Sequence, residues 1–279
     1  RFVNRKEIEH DRWNSIVKSS PYFRHYALTY FLDASCELWV ALVKNDYEWI
    51  WPLPIKKWPV IQVIQPLLAQ QLGPISNGTR ALEESDIQQS WELIQRVFWK
   101  VNVKFSDHFS DLPMPCSKHT NVELELGKSH DELTKAFNRN SISNIRKSVK
   151  ANVTFQCAED FNPLAISVFR SGRGRGLSIL DEEFYDQVRR IYSAFQAKGE
   201  AETWIAQKDG VTLAAVMLLN TNQRILNFFT SSTTQAKGVG AMHGLINAIL
   251  EKHCDSAKFF DFEGSDDSNL AYFYKSFGG

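Results

Sequence analysis

The sequence has no long apolar run, no excess of charge of either sign and little cysteine. No stretch of about 18 apolar residues is present, so no transmembrane helix is predicted. Lysine plus arginine and aspartate plus glutamate number 32 each, which gives the whole chain no attraction for nucleic acid. The four cysteines (Cys36, Cys116, Cys157 and Cys254) lie far apart, without a CxxC pair or histidines at ligand spacing. They predict neither disulfides nor a metal site, and are typical of reduced thiols in a cytoplasmic protein.

Several catalytic and nucleotide-binding motifs are also missing. The sequence has no Gly-x-Ser-x-Gly elbow, no Walker loop and no Gly-x-Gly-x-x-Gly dinucleotide pattern. No Ser-His-Asp or Cys-His arrangement stands out, and the lone His243 is interpreted as structural. These absences argue against a serine hydrolase, a P-loop nucleotide hydrolase and a dinucleotide-dependent dehydrogenase.

Length and composition predict a globular chain of two domains. The 279 residues are 43% hydrophobic and 13% aromatic, which is ample material for a core, and they are long for one domain. The segment 107–118, with Pro113 and Pro115, has the composition of a linker. We therefore predict an N-terminal domain over residues 1–118 and a C-terminal domain over residues 119–279.

Both halves mix helical and strand patterns, which predicts an α+β fold. Periodic apolar residues predict several helices, one of them over 83–103, and β-branched runs predict several strands, one of them over 60–68. Strands separated by short turns predict antiparallel pairs. Ser129 with Glu132 three residues later predicts a capping box at the start of a helix.

The stretch 220–249 predicts a strand, a glycine-bearing loop and a helix. Residues 224–231 are rich in β-branched and aromatic side chains, as in a buried strand. The apolar stripe of an amphipathic helix follows at Met242, Leu245, Ile246 and Ile249. Between them, 235–241 places glycines just ahead of a helix N-terminus, where unpaired amides and the helix dipole favour an anion such as phosphate. A loop that merely starts the helix is the alternative interpretation.

Overall neutrality conceals a basic region between Lys135 and Arg175. Eight basic residues there stand against two acidic ones, a local net charge of +6. Arg173 and Arg175 alternate with glycines and predict a fork for a substrate phosphate or carboxylate. A solvated helix face followed by a mobile loop is the alternative interpretation.

Acidic and phenolic side chains gather near the C-terminus. Glu263, at the end of a predicted strand, is a candidate to accept a proton from an amine. Asp266 and Asp267 fit the N-cap and first turn of a last helix. On that helix, Tyr274 is a candidate proton donor to a leaving group, with aromatic packing as the alternative role.

Together these motifs resemble a known superfamily. The segment 235–241, Gln-x-x-Gly-x-Gly-Ala, is similar to the acyl-CoA pyrophosphate loop of the GNAT N-acyltransferases, and Tyr274 four residues before Gly278 is similar to their tyrosine. Residues 261–265 followed by 273–278 resemble the closing signature of FemABX-like proteins, which carry two GNAT-like domains in tandem.

The resemblance extends to both halves of the chain. Residues 138–147 resemble the basic helix early in the second domain of those proteins, and residues 70–73 resemble a turn in the first. It implies two GNAT-like domains in tandem, each with a mixed, mostly antiparallel sheet flanked by helices. It also implies acyl transfer to an amine, with acyl-CoA, in particular acetyl-CoA, as co-substrate and with no metal.

The resemblance assigns roles to individual residues. An N–H near Thr230 or Ser231 polarises the thioester carbonyl, Glu263 or a water that it orders deprotonates the amine, and Tyr274 protonates the departing thiolate. The implied donor-binding residues are Thr230, Ser231, Gln235, Lys237, Gly238, Val239, Gly240 and Ala241. The implied substrate-binding residues are Arg146, Arg173 and Arg175.

Three functions follow as alternatives. The first is an acyl-CoA-dependent N-acyltransferase that acts on an amine of a small molecule, a saccharide or a peptide envelope precursor. The second is a FemABX-like ligase that uses aminoacyl-tRNA, with the +6 region meeting RNA. The sequence lacks the long charged heptad stretch of the helical arm in cell-wall ligases, which favours CoA over tRNA. The third is a non-catalytic member of the fold that binds a ligand.

Overall fold

The chain forms two compact units, Arg1–Ser117 and Lys118–Gly279. Each contains a six-stranded sheet with helices, so the predicted α+β class is confirmed. The computed structural model describes residues 1–57, 59–78, 82–106, 117–158, 164–171, 181–256, 258–264 and 266–279. In that part of the chain, no helix is long and apolar enough to cross a membrane.

The first unit is built on a sheet with strand order β1-β2-β3-β4-β6, in which β5 also pairs with β3. Its elements are β1 (Phe2–Asn4), α1 (His10–Ser19), α2 (Thr29–Ser35), β2 (Trp39–Lys44), β3 (Trp49–Lys56), β4 (Gln62–Ile64), β5 (Ile75–Ser76), α3 (Glu84–Val97) and β6 (Lys100–Asn102). β2 and β3 form an antiparallel hairpin, whereas β4 and β6 run parallel. Helix α3 covers one face of this sheet, where its Ile94 packs with Trp51 and Val63 in a buried cluster.

Three features of the first unit differ from the sequence predictions. The predicted helix over 83–103 ends at Val97, because residues 100–102 pair with β4 as an edge strand. The predicted strand over 60–68 is confined to the three residues of β4. Helix α2 was not predicted. Four of its seven residues are buried, so its sequence lacks the polar stripe that reveals a surface helix.

The second unit is built on a sheet with strand order β7-β12-β11-β10-β9-β8. Its strands are β7 (Asn121–Glu125), β8 (Thr154–Ala158), β9 (Ala201–Lys208), β10 (Val211–Asn220), β11 (Arg224–Ser232) and β12 (Phe259–Gly264). Its helices are α4 (His130–Lys135), α5 (Arg139–Lys150), α6 (Leu164–Ser171), α7 (Glu182–Gln196), α8 (Thr234–Gly238), α9 (Ala241–His253) and α10 (Ser268–Lys275). The pairing of β11 with β12 is parallel, and the other pairings in this sheet are antiparallel.

Local sequence signals predicted two helix starts and one helix face correctly. Ser129 and Glu132 form the predicted capping box of α4, and the Asp267 side chain accepts hydrogen bonds from two amides at the start of α10. Leu245, Ile246 and Ile249 are fully buried, as the predicted stripe on α9 requires. Helix α9 therefore lies with this face in the core of the second unit.

A half-buried carboxylate links the far end of α9 to the sheet. Glu202 on β9 accepts hydrogen bonds from His253 Nε2 (3.0 Å), from Trp204 Nε1 (2.8 Å) and from the side-chain nitrogen Nδ2 of Asn220. Lys258 Nζ donates in turn to the side-chain oxygen Oδ1 of Asn220 at 2.8 Å. Burial acts to raise the pKa of Glu202, but the hydrogen bonds from His253 and Trp204 outweigh it and hold that pKa at about 2.

This carboxylate predicts an acid-dependent loss of stability. The folded pKa lies below the unfolded one, so the contribution of Glu202 is complete above about pH 4.5 and is lost as the pH falls towards 2. The shift corresponds to about 3 kcal/mol of unfolding free energy. We expect Glu202→Gln to remove this acid-dependent part of the free energy of unfolding, measured by denaturant titration between pH 2 and 7. The control Glu251→Gln, at an exposed position, should keep it. If the free energy of unfolding falls equally steeply with decreasing pH in the parent and in Glu202→Gln, the assignment is wrong.

Candidate active site

The two parallel strands of the second unit part at their carboxyl ends. The ladder between β11 and β12 consists of three residue pairs, the last of which joins Leu226 and Asp261. Beyond that pair, β11 stays with β10 as far as Ser232, and β12 stays with β7, where Gly264 pairs with Asn121. Ligands of open α/β sheets bind outside the carboxyl ends of parallel strands. This edge of the sheet is therefore the candidate site.

Glu263 lies in a bulge of β12 at this edge. The register with β7 shifts between Asp261 and Gly264, and Glu263 has a φ of +65°, in the left-handed region that residues other than glycine rarely adopt. The Glu263 amide donates to Asp261 Oδ1 at 2.9 Å. The Asp261 carboxylate thus stabilises the unusual backbone that presents Glu263.

A buried ion pair joins Asp261, where the strands part, to Arg224 in the first residue pair of the same ladder. Asp261 is 1% exposed, and its Oδ2 accepts a hydrogen bond from Arg224 Nη1 at 3.0 Å. Arg224 Nη1 also lies 2.8 Å from Glu123 Oε1, and Asn121 Nδ2 donates to both Glu123 and Asp261. These contacts join β7, β11 and β12. Removing Arg224 would take the cation from the buried Asp261 carboxylate, and breaking a buried ion pair in this way costs roughly 3–5 kcal/mol in other proteins.

The end of β11 holds the two residues predicted to polarise a carbonyl. The register with β10 is irregular between Asn227 and Phe229. Thr230 Oγ1 donates to Asn227 Oδ1 at 2.7 Å, and Ser231 Oγ donates to the Ala215 carbonyl at 3.4 Å. Both hydroxyl protons are therefore engaged within the sheet. The predicted role of a main-chain N–H near these residues stays a prediction.

The glycine segment after β11 is a short helix, not the predicted open loop. Thr233 caps α8, and its hydroxyl accepts from the Ala236 amide at 3.2 Å. The Val239 amide donates to Ala236 O at 3.3 Å and the Gly240 amide to Lys237 O at 3.5 Å. Amides that close this helical turn are not available to hold an anion. Local helix formation thus corrects the expected conformation of residues 235–240.

Among the described residues, the amides of this region that have no partner within a helix lie slightly further along the chain, in the first turn of α9. The first hydrogen bond of α9 runs from the Gly244 amide to the Gly240 carbonyl at 3.1 Å. The amides of Ala241, Met242 and His243 precede that bond, so they form the donor-rich helix N-terminus that favours an anion. In front of this turn, the side chains of Gln235 and Lys237 are exposed.

Gly240 has a structural role that its sequence motif does not reveal. Its φ is +68°, and a Cβ at this position would overlap the carbonyl oxygen of Asn144 on α5. Gly238 differs, since a Cβ there would meet no atom within 4 Å. Gly240 is therefore required by the close approach of α5, and not by the approach of a ligand alone.

Helix α5 connects the two ends of the candidate site. At one end, Asn144 contacts Gly240. At the other end, the main-chain amide of Asn138, the N-cap of α5, donates to Ser276 O at 3.0 Å, and Ser141 Oγ lies 2.6 Å from Ser276 Oγ. The outer face of the helix is basic, with exposed Arg139, Arg146, Lys147 and Lys150. Arg146 thus lies on the helix that touches the start of α9, whereas the predicted pair Arg173 and Arg175 lies outside the described residues.

Tyr274 belongs to the core of the second unit. It is 7% exposed, and its ring centroid lies 5.2 Å from that of Phe262. Phe262 directly precedes Glu263 on β12. The tyrosine ring is therefore held against the strand that carries the candidate base.

His243 lies in the first turn of α9 and faces α10. Its ring is 4.8 Å from that of Phe273 and 5.8 Å from that of Phe277, and within the described chain its Nε2 atom is buried without a hydrogen-bond partner. Burial lowers the pKa of His243 to about 4, so the imidazole is neutral near pH 7. Near pH 7, His243 therefore adds no positive charge to the N-terminus of α9.

Sequence reasoning missed the Arg224–Asp261 pair and the Asn144 contact. Asp261 is two positions before Glu263, but its partner Arg224 is 37 positions earlier in the chain. Asn144 lies 96 residues before Gly240. Neither pairing has a local sequence signal. Among the described residues, no group of three or more histidine, cysteine, aspartate or glutamate side chains is arranged to hold a metal ion.

The two glycines predict different responses to the same substitution. We expect Gly240→Ala to lower the free energy of unfolding by roughly 2 kcal/mol or more, because a left-handed backbone and an overlap with backbone are both unfavourable for alanine. Gly238→Ala is the matched control and should change it by less than about 1 kcal/mol. Denaturant titration of both variants measures the difference. Similar values for the two would contradict the packing role of Gly240.

Comparison with known proteins places these observations in a family. A model of the acetyltransferase (GNAT) domain matches residues 136–276. The structure of FemX has a TM-score of 0.68 at 14% identity, over 97% of this chain and 93% of that one. A tandem GNAT protein from the clavulanic acid biosynthesis pathway has a TM-score of 0.54 at 12% identity, over 100% and 94% of the two chains.

A third structure, L-PGS from Bacillus licheniformis, has a TM-score of 0.54 at 11% identity, over 92% of this chain and 77% of that one. Curated proteins gave no match. The structural neighbours cover nearly the whole chain, so the predicted tandem arrangement of two GNAT-like folds is confirmed. The chain belongs to the acetyltransferase (GNAT) domain family.

Proposed function

We propose that the protein is an N-acyltransferase that takes its acyl group from acyl-CoA, in particular acetyl-CoA. The acceptor in this proposal is an amine of a small molecule, a saccharide or a peptide envelope precursor. The observation that carries the proposal is the unpaired first turn of α9 at the sheet edge where β11 and β12 part. An anion-binding helix end beside a gap between strands suits a ligand with a phosphorylated tail and an extended acyl arm.

The residues at this edge fit a coenzyme A donor. The amides of Ala241, Met242 and His243 precede the first hydrogen bond of α9 and would hold the pyrophosphate. Exposed Lys237 and Gln235 would contact it from α8. A Cβ built on Gly238 would meet no atom of a described neighbour within 4 Å, so a ligand has room to approach the backbone beside this turn.

Three groups of this chain would act on the reacting atoms. The thioester of acyl-CoA supplies an activated acyl carbon. A main-chain N–H near Thr230 or Ser231 would donate to the carbonyl oxygen as negative charge develops there. Glu263 would accept the proton of the amine as the carbon–nitrogen bond forms. Tyr274 would donate its phenolic proton to sulfur as the carbon–sulfur bond breaks, and the two residues then exchange protons with solvent.

A second donor, aminoacyl-tRNA, is favoured by one observation. Helix α5 presents four exposed basic residues on the element that touches Gly240, close to the start of α9. A polyanion bound along α5 would dissociate steeply with rising salt, since each neutralised phosphate releases counterions. The salt dependence of binding therefore separates this donor from CoA. In this alternative, Arg146 contacts the nucleic acid and not the acceptor.

Binding of CoA tests the donor site directly. We expect calorimetric titration to show that the parent binds CoA and acetyl-CoA, and that Gly238→Asp weakens binding at least about tenfold, because a carboxylate beside the pyrophosphate is repelled. Gly238→Ala is the control and should bind like the parent. Gly240 is unsuitable for this test, since its substitution disturbs the contact with Asn144. Equal binding by the Asp variant, or no binding by the parent, would refute the proposed site.

Two variants test the proton-transfer roles, once an acceptor is found by a mass-spectrometric screen of amines. Tyr274→Phe keeps the ring against Phe262 and removes the hydroxyl, so we expect turnover to fall roughly a hundredfold with the CoA dissociation constant unchanged. Glu263→Gln should lower turnover by a similar factor. Unchanged turnover would remove the tested residue from the mechanism. Tyr272→Phe, on the exposed side of α10, is the matched control.

A further inference from the structure

Three phenylalanine rings meet on one side of β11. The ring centroid of Phe229 on β11 lies 4.8 Å from that of Phe169 on α6 and 6.4 Å from that of Phe184 on α7. Phe229 is 6% exposed, so its ring is held among its neighbours. The chemistry proposed above assigns no role to these rings. We refer to Phe169, Phe184 and Phe229 as the aromatic wall.

The register of the sheet shows which face carries the aromatic wall. Phe229 is aligned with Met217 on β10. The two neighbours of Met217 in the chain, Val216 and Leu218, belong to the buried cluster that contains the apolar face of α9. Side chains alternate along a strand, so Met217 and Phe229 project from the other face. The aromatic wall and α9 therefore lie on opposite faces of the sheet.

Phe229 also borders the gap between the parting strands. The ladder of β11 with β12 ends at Leu226, and Phe229 is three positions further, roughly 10 Å along the strand. Within the described chain, β12 supplies no partner to β11 at this level. Phe229 directly precedes Thr230, near which a main-chain N–H is proposed to hold the acyl carbonyl. An acyl group bound at that N–H would therefore lie next to Phe229.

The other face of β11 is occupied at the same level. Thr230 is aligned with Val216, and Asn227 is aligned with Leu218, so both side chains project from the face that α9 covers. Thr230 Oγ1 donates to Asn227 Oδ1 at 2.7 Å, and Asn227 is 4% exposed. The space beside β11 is thus bounded by a hydrogen-bonded pair on one face and by a packed ring on the other.

Given the acyl-CoA donor proposed above, on which this step rests, we propose that Phe229 restricts the acyl group to a short one such as acetyl. A longer acyl chain would have to pass beside β11 and displace a ring that contacts two other rings. Protein interiors are packed too closely to take up several additional methylene groups without strain. An acetyl group ends at its methyl carbon and needs no such displacement. Phe229 is thus a specificity-determining residue for the donor.

Calorimetric titration of the full chain with CoA, acetyl-CoA and hexanoyl-CoA tests this role. We expect the parent to bind hexanoyl-CoA at least about tenfold more weakly than acetyl-CoA, because the size of an apolar pocket discriminates by about tenfold or more for a single methylene group. Phe229→Leu and Phe229→Ala reduce or remove the ring, so both should bind hexanoyl-CoA at least about tenfold more tightly than the parent does. Their affinity for CoA itself should equal that of the parent, which also shows that they are folded.

Phe260→Leu is the matched control. Phe260 is fully buried on β12, but it lies inside the ladder, where it pairs with Ile225. This variant should keep the parent's preference for acetyl-CoA. If the parent binds hexanoyl-CoA as tightly as acetyl-CoA, or if neither Phe229 variant gains affinity for hexanoyl-CoA, Phe229 does not set the limit. A parent that binds acetyl-CoA leaves the donor site standing in both cases, whereas a parent that binds no CoA refutes the donor site and the role of Phe229 together.

Discussion

The buried pair of Arg224 and Asp261 is the constraint on which the candidate site depends. Asp261 belongs to the last residue pair shared by β11 and β12 and Arg224 to the first, and the Asp261 carboxylate also accepts a hydrogen bond from the Glu263 amide. Three strands and one unusual backbone conformation are thus tied to a single buried charge. A hydrophobic pair of similar volume could hold strands together equally well, but it could not accept the Glu263 amide. The ion pair therefore contributes geometry at this edge as well as stability.

The rest of the site follows from how helices meet this edge. Helix α9 begins with three amides ahead of its first hydrogen bond, and α5 contacts that start through Asn144. Helix α5 also contacts Ser276, just after α10, so the helix that carries Tyr274 and the helix whose first turn is the candidate anion site share one support. The basic residues of α5 are exposed, while its other side packs against these two helices. The packing face and the charged face are thus opposite sides of one helix.

Sequence reasoning succeeded where the signal is local. The capping box of Ser129, the N-cap of Asp267 and the apolar stripe of α9 each depend on residues within a few positions, and the structure confirms all three. Sequence reasoning failed where contacts between residues far apart in the chain determine the local structure. Residues 100–102 continue a helical pattern but pair with β4, and residues 235–240 have the composition of an open loop but close a helical turn under Thr233. The partners of Asp261 and Gly240 are set by tertiary packing alone.

The contact of Gly240 with α5 changes what a glycine at this place in a sequence reveals. The main chain of Asn144 excludes any larger residue there, whether or not a coenzyme ever binds. A descendant that lost its catalytic activity would be under the same steric pressure and would retain the glycine. A Cβ at Gly238 would meet no neighbouring atom within 4 Å, so packing does not require a glycine there. The second glycine of the motif therefore marks the architecture, and its presence alone does not indicate an active enzyme.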